Sequence, residues 1–483
     1  MSQKTALPRW LTPITVAFAL SLLLTLIARL GSEVNRDGML YIATAQAFLD
    51  GGFAAAKHSF AWPFLPIAIA AVSKLTGLGL ENAAYLLNAL FMAGTCALIV
   101  ACVARKSPDL AWPCVLIVLA IPGTNEYRNE LLREFGSWFF IMLTWWLALR
   151  WDERPQWFGA FTIQASLACA ALFRPEAFTL FGALICWQFF AAPRQERWKR
   201  LAMIGLIPTI GGTFLLIAFF SGHLDGRLNA DLGRFGLTRF DEKAEALAAS
   251  LIEYAHGQAR TILFFGSLAL IPIKLINKFS LFLIPLAYFF ISGNYRDFAR
   301  RHALFSWGIA AHLLVLSVFV LDLQFLSGRY VGLILLLSTP FIAEGFNRLI
   351  LNFPRWQKLI FAIVVLMAAA NVVSTGSGKE YFVEAGKWLA ANANTPDRIY
   401  IDSGRTAYHA GWLKLKVAER NQREDIAQAA STDAYDYYAL EVSRKDPPWN
   451  PDLDHIGLQI IQRFEAHNGD AVIIARPKGV TSK

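Results

Sequence analysis

The chain has 483 residues, 55% of them hydrophobic and only 17% charged, with a mean hydropathy of +0.41. A soluble protein of this size carries about 25% charged residues, so a soluble enzyme is excluded, and the apolar runs are too continuous for the alternating strands of a membrane barrel. The net charge of +9 comes from Lys and Arg dispersed among short loops, a pattern that sets membrane topology and does not point to nucleic acid.

Lys4 and Arg9 precede the first apolar run, Leu11 to Leu30, and put the amino terminus on the cytoplasmic side. That run has no small-residue cleavage site and the chain stays apolar far beyond it, so it reads as a transmembrane helix and not as a signal peptide. Asn35-Arg36-Asp37-Gly38-Met39-Leu40-Tyr41 follows at once and faces outward. Leu40, Ala43, Ala47 and Phe48 fall near one helical face, which predicts an interfacial helix with Asp37 as its N-cap. Trp62 to Leu75, with Pro63 and Pro66 near its start, is too short to span. It reads as a juxtamembrane or re-entrant helix.

Ala83 to Ala104 crosses inward to Arg105-Lys106, and Trp112 to Pro122 returns outward to the polar stretch Gly123 to Glu134. Phe135 to Leu149 leads in, to Arg150-Trp-Asp-Glu-Arg154. Trp157 to Phe173 and Ala177 to Ala191 form a pair broken by Arg174-Pro175-Glu176. Arg194, Arg197, Lys199 and Arg200 mark the inside before Leu201 to Ser221 exits. The long polar loop Gly222 to Gln258 carries Arg227, Arg234 and Arg239, and has helical spacing from Asp241 to His256.

Ile262 to Ser292 is interrupted by Lys274 and Lys278, as one span with an outer half-helix or as two spans. Inside charges at Arg296, Arg300 and Arg301 demand an odd number of crossings there. Ala303 to Leu321 leads out to Ser327-Gly328-Arg329-Tyr330, Val331 to Ala343 returns, and Leu359 to Val373 exits past Arg348, Arg355 and Lys358. The prediction is an all-α polytopic membrane protein of about 11–13 membrane segments. Ser374 to Gly378 then separates residues 1–374 from a water-soluble tail, 375–483, placed outside. Tyr381 to Asn392 reads as a helix, and Arg398 to Ile401, Tyr437 to Val442 and Ala471 to Ala475 as strands of a small extracytoplasmic α/β domain.

No phosphate-loop, dinucleotide, zinc-protease or nucleophile-elbow signature occurs. The eight histidines are scattered without ligand spacing, and His312, inside an apolar run, reads as a packed core residue. The five cysteines lie in or beside apolar runs and read as small hydrophobes. What stands out is a set of charged breaks that the inner clusters alone place on the outer side. These are Arg36-Asp37, Arg128 to Glu134, Arg174 to Glu176, and Arg329-Tyr330.

Each has a plain alternative: a helix cap at Asp37, a solvated helix end with Glu130 and Glu134 as neighbours, snorkelling at Arg174 and Glu176. Together they would offer one carboxylate base and several guanidinium groups to one outward cavity. That inventory suits sugar transfer from a lipid phosphate, whose anionic leaving group arginines stabilise while a carboxylate takes the acceptor proton.

In these residues the sequence resembles the integral-membrane GT-C glycosyltransferases, in the group of protein mannosyltransferases and aminoarabinose transferases. The resemblance rests on Arg36-Asp37-Gly-Met-Leu-Tyr41, Trp62-Pro63, Leu172-Phe-Arg-Pro-Glu-Ala177 and Gly328-Arg329-Tyr330, and spans the membrane part. It implies a polyprenyl-phosphate sugar donor, an extracytoplasmic acceptor, a lipid bilayer as the setting, and a bacterial plasma membrane as the location. It also implies Asp37 as catalytic base and an acidic partner at Glu134 or Glu130. Arg36, Tyr41, Arg128, Arg133, Arg174, Glu176, Arg329 and Tyr330 are the expected substrate contacts, Arg174 and Arg329 to the donor phosphate. Relatives often carry Asp-Glu where this chain has Asp37-Gly38, a departure that removes a carboxylate and counts against a divalent metal without removing it as an alternative. A polysaccharide polymerase or ligase using diphosphate-linked donors, and a lipid or solute transporter, are the competing classes. No internal repeat of the kind a transporter carries is found.

Overall fold

A computed structural model describes residues 11–30, 32–223, 229, 233, 238–373, 379–393, 395–413, 417–418, 423–432, 434–446 and 450–478. Lys4, Arg9, Arg227, Arg234 and the Ser374–Gly378 boundary lie outside those residues. The chain divides into two compact units, one of residues 1–30 with 48–373 and one of residues 31–47 with 374–483. The segment after the first helix therefore groups with the tail, a division that the sequence boundary at 374 does not anticipate.

The first unit is helical, and the chain is an integral membrane protein. Five stretches are long and apolar enough to cross a membrane: Leu80–Lys106, Arg197–Phe220, Glu253–Ile291, Ala303–Leu323 and Gly328–Asn352. Shorter apolar helices, among them Pro13–Arg29, Phe64–Thr76 and Trp157–Phe173, accompany them. Pro13–Arg29 starts on a reciprocal cap, Thr12 with Thr15, and Pro13 at its first turn. Its far end is fixed by Arg29, which pairs with Glu81 and stacks 4.0 Å from the Tyr85 ring.

The Arg133–Glu153 helix forms the spine of the core. It is lined on one side by Phe135, Trp138, Ile141, Met142 and Trp145, all at most 3% exposed. Its close approach to the Trp157–Phe173 helix needs glycine, because a Cβ on Gly136 would stand 2.5 Å from the Phe173 ring.

The ambiguous stretch resolves into two helices, Ala259–Phe279 and Leu283–Ile291, broken at Ser280 with φ 52°. The Lys278 end meets Glu126, and Ser292 and Gly293 accept hydrogen bonds from Arg348 at 3.0 and 2.6 Å. Leu283–Ile291 lies directly on Gly332–Asn352, where Gly345 meets the Pro285 carbonyl.

In the second unit the sheet order is β1-β2-β4-β3, with β1 (Ile399–Ile401) parallel to β2 (Tyr437–Val442). Antiparallel pairing joins β4 (Ala471–Pro477) to both β2 and β3 (Leu458–Glu465). Alternation gives the sheet two apolar faces. Ile399, Ile401, Ala439, Val472 and Ile474 pack with the Glu380–Asn392 helix, while Tyr400, Tyr438, Leu440, Ile473 and Ala475 line the other face. β3 escapes sequence recognition because, as an edge strand, it is largely exposed and reads Leu-Gln-Ile-Ile-Gln-Arg-Phe-Glu.

The helix Arg36–Ser59 corrects two expectations. It begins at Arg36, so Asp37 lies in its first turn and is not the cap, a place where the helix dipole favours a carboxylate. The buried face is Met39, Tyr41, Ile42 and Ala45, while Leu40 is 40% exposed. A second apolar stripe, offset from the predicted one by one residue, takes the interior. Gly52, at φ 69°, kinks the helix.

Candidate active site

Three breaks in the first unit converge on one cavity. Pro175 forces Arg174 into an extended conformation, φ −139° and ψ 105°, ending the Trp157–Phe173 helix. The Trp62 indole donates to the Leu172 carbonyl at 2.7 Å, satisfying one of the carbonyls left open by that ending. Two of the sequence motifs, Trp62-Pro63 and Phe173-Arg174-Pro175-Glu176, are thereby tied to each other. Arg329 and Tyr330 sit in a short 3-10 turn, Gly328–Val331, that leads into Gly332–Asn352. His312 fixes that turn through a 3.0 Å hydrogen bond between its Nε2 and the Tyr330 carbonyl.

Glu134 occupies the centre. It stands in the first turn of its helix, 4% exposed, with Arg174 Nη1 3.1 Å and Arg329 Nε 3.5 Å from its Oε1. Arg174 also grips Glu176, its Nε donating at 2.5 Å. Its guanidinium lies 5.0 Å from the Tyr330 ring centre, and that of Arg329 lies 5.6 Å away. Ser137, Trp138, Ile141 and Leu333 complete the lining. The space left between these side chains is about 30 Å³, the room of about one water molecule. The cavity is filled by its own ion pairs.

Arg133 adds a third cation. It is 9% exposed, its guanidinium 5.2 Å from the Phe60 ring, and its Nε and Nη1 have no hydrogen-bond partner among the described residues. The cavity lining balances Arg174 and Arg329 against Glu134 and Glu176, and Arg133, outside the lining, acts on Glu176 as a further guanidinium. Both carboxylates face guanidinium groups, surroundings that repel a divalent cation. Among the described residues no three His, Cys, Asp or Glu side chains group as a metal would need.

The cavity thus gathers Glu134, Arg174, Glu176, Arg329 and Tyr330 from the predicted set. Arg128 does not join them. It is 1% exposed, and its guanidinium donates to Asn125, to the Ser21 carbonyl and hydroxyl, and to Thr25 at 2.8–2.9 Å. It ties the first helix to the core, because residues 126–130 form a turn and bend, Leu132 is extended, and the helix starts only at Arg133. For the same reason Glu130, half-buried in that turn, is not a helical neighbour of Glu134. Arg36, Asp37 and Tyr41 belong to the other compact unit, where Arg36 is exposed, Asp37 half-buried and Tyr41 3% exposed. Arg239 approaches the Asp322 carboxylate at 3.8 Å.

Two contributors escape the sequence reading. His312 is a packed histidine, 8% exposed, yet it also lines the cavity. Lys278 pairs with Glu126, lies 5.5 Å from the Tyr127 ring, and presses against Gly328 beside Arg329. The available signal was a lysine interrupting an apolar run, which marks function more often than packing.

No family model matches the sequence, and no curated protein is similar to it in sequence. Solved structures do share its fold. The oligosaccharyltransferase of Archaeoglobus fulgidus, tethered to an acceptor peptide containing the NVT sequon, aligns with a TM-score of 0.55 at 11% identity, over 90% of this chain and 70% of that one. The arabinofuranosyltransferase AftD from mycobacteria aligns with a TM-score of 0.50 at 16% identity, over 98% of this chain but 40% of that one. ArnT from Cupriavidus metallidurans, in the apo state, gives 0.46 at 12% identity, over 95% and 97%. At these identities the likeness is one of architecture. The chain has the fold of the GT-C membrane glycosyltransferases.

Proposed function

We propose that the protein is an inverting glycosyltransferase that moves a single sugar from a polyprenyl-phosphate carrier to an extracytoplasmic acceptor: a glycolipid, a polysaccharide or a protein. The observation that carries this reading is Glu134, a buried carboxylate held between Arg174 and Arg329, so that two guanidinium groups are gathered in one cavity. In the resting arrangement the carboxylates neutralise the guanidinium groups. A donor phosphate enters by exchange, taking the arginine contacts from Glu134 or Glu176 without leaving a buried cation unpaired.

In this reading Arg174 and Arg329 hold the leaving phosphate and stabilise its charge as the glycosidic bond breaks, with Arg133 as a further counter-charge. Asp37 takes the proton of the acceptor hydroxyl as that oxygen attacks the anomeric carbon, so the sugar inverts with no covalent intermediate. Glu134 orients both arginines. The amino terminus is cytoplasmic and the α/β domain extracytoplasmic, in a bacterial plasma membrane.

A second reading is favoured by one observation. Lys278, paired with Glu126, packs against Gly328 in the turn that carries Arg329, where the same exchange of carboxylate for phosphate would serve a diphosphate-linked donor. The test is donor turnover by the purified protein with a polyprenyl-monophosphate sugar and its diphosphate counterpart. Turnover of the monophosphate alone supports the first reading. Turnover of the diphosphate alone selects the second, and inertness toward both removes the transferase assignment.

A further inference from the structure

A second cavity, of about 220 Å³, lies at the other end of the same spine. Glu134 and Asp152 stand at opposite ends of the 21-residue helix Arg133–Glu153, about 30 Å apart, so the two cavities are separated by roughly the thickness of a bilayer core. Lys106, Arg300 and Arg301 line the rim of the second cavity, and Leu149, Trp187, Leu304 and Phe305, each at most 4% exposed, form its apolar wall. Its one lining carboxylate, Asp152, lies 3.0 Å from Arg200, a guanidinium shared with Glu196 at 2.8 Å, and Arg300 lies 3.9 Å from the exposed Asp297, so the three lining cations still outnumber the lining carboxylate.

The wall also holds an unsatisfied donor or acceptor. His302 is 2% exposed, stacked on Phe298 at 4.5 Å between ring centres, and its Nε2 meets the Ser107 hydroxyl at 3.1 Å. Its Nδ1 is buried with no hydrogen-bond partner among the described residues. His302 thus belongs to the packed wall of the cavity.

We propose that this cavity binds the phosphate of an anionic phospholipid, with Lys106, Arg300 and Arg301 around the headgroup and the first methylenes of an acyl chain on the Trp187 and Phe305 wall. Basic rim and apolar wall together select a lipid over a free anion, and basic pockets between membrane helices at the cytoplasmic surface suit such headgroups. The site is separate from the transfer chemistry.

The test is native mass spectrometry of the full chain released from nanodiscs containing equal phosphatidylglycerol and phosphatidylcholine. The wild type retains phosphatidylglycerol in excess, and inorganic phosphate does not displace it. Replacing Lys106, Arg300 and Arg301 together by Gln lowers that retention on the order of 100-fold. Ala191→Trp, which fills the cavity without touching its charges, lowers it as well and serves if the triple variant fails to fold. Equal retention of the two lipids by the wild type overturns the proposal, as does an undiminished preference in the variants. Displacement by inorganic phosphate assigns the cavity to a soluble anion and also overturns it.

Discussion

Replacing Arg174 by Met separates the structural from the functional work of the Glu134 cluster. The substitution keeps the bulk of the stem but leaves Glu134, 4% exposed, with Arg329 at 3.5 Å as its remaining guanidinium partner in the cavity. Breaking a buried pair from one side costs about 3–5 kcal/mol. Arg329 retains part of the compensation, so a loss of about 3 kcal/mol is expected. The Glu176 contact, nearer to solvent, contributes about 1 kcal/mol or less. Unfolding in mixed micelles titrated with SDS reads this loss. Adding Glu134→Gln to Arg174→Met then restores part of it, because the uncompensated charge is gone. In the transfer assay, loss of one charged hydrogen bond to the donor phosphate is worth about 2 kcal/mol, or roughly 30-fold in kcat/KM. Glu134→Gln in the double variant does not recover that activity. If Arg174→Met unfolds and turns over like the wild type, the cluster neither holds the core nor contacts the donor.

Arg128→Ala removes a buried guanidinium that serves Ser21, Thr25 and Asn125, costing about 3 kcal/mol in the same unfolding assay. The KM for donor stays at the wild-type value. Gly345→Ala would place a Cβ 1.9 Å from the Pro285 carbonyl oxygen, and the backbone cannot yield. Helices Leu283–Ile291 and Gly332–Asn352 must separate, at about 3 kcal/mol. In the α/β domain, Asp470 accepts from the Arg444 amide, Asn468 and Ser443, contacts that hold its carboxyl below the usual carboxylate range, the Arg444 amide foremost. A depressed folded value adds stability at neutral pH, and that stability disappears as pH falls from the ordinary aspartate value of about 3.9 through the folded one. Pulse deuterium labelling of Ala471–Pro477 in urea detects the loss in the wild type, and Asp470→Asn removes this dependence.

Most of the helical architecture was legible because a membrane span is written twice, in apolar length and in the Lys and Arg that end it. Trp157–Phe173 and the β2 strand Tyr437–Val442 fall on their predicted bounds. The meeting of Glu134, Arg174, Glu176 and Arg329 followed from the same charge bookkeeping, since inner clusters fix where the remaining charges must go. Fine assignment within the cluster was not legible. Arg128 and Arg133 are five residues apart in one polar stretch, and only the turn between them decides that Arg128 faces the first helix.

Asp37 misled in another way. Two apolar stripes compete in its helix, and spacing alone does not say which one is buried. Lys278 and His312 looked like interruptions of apolar runs, because the turn at Gly328 that meets them is distant in sequence. The edge strand Leu458–Glu465 carries too few buried residues to betray itself.

In the proposed transfer one carboxylate accepts the acceptor proton while arginines hold the departing phosphate. The measurement that tests it most directly is sugar transfer from a polyprenyl-phosphate donor by purified Asp37→Asn protein, with donor binding measured alongside. The predicted result is a fall in kcat of about 10²- to 10⁴-fold with donor affinity close to that of the wild type. An Asp37→Asn enzyme that transfers sugar at the wild-type rate would contradict the claim.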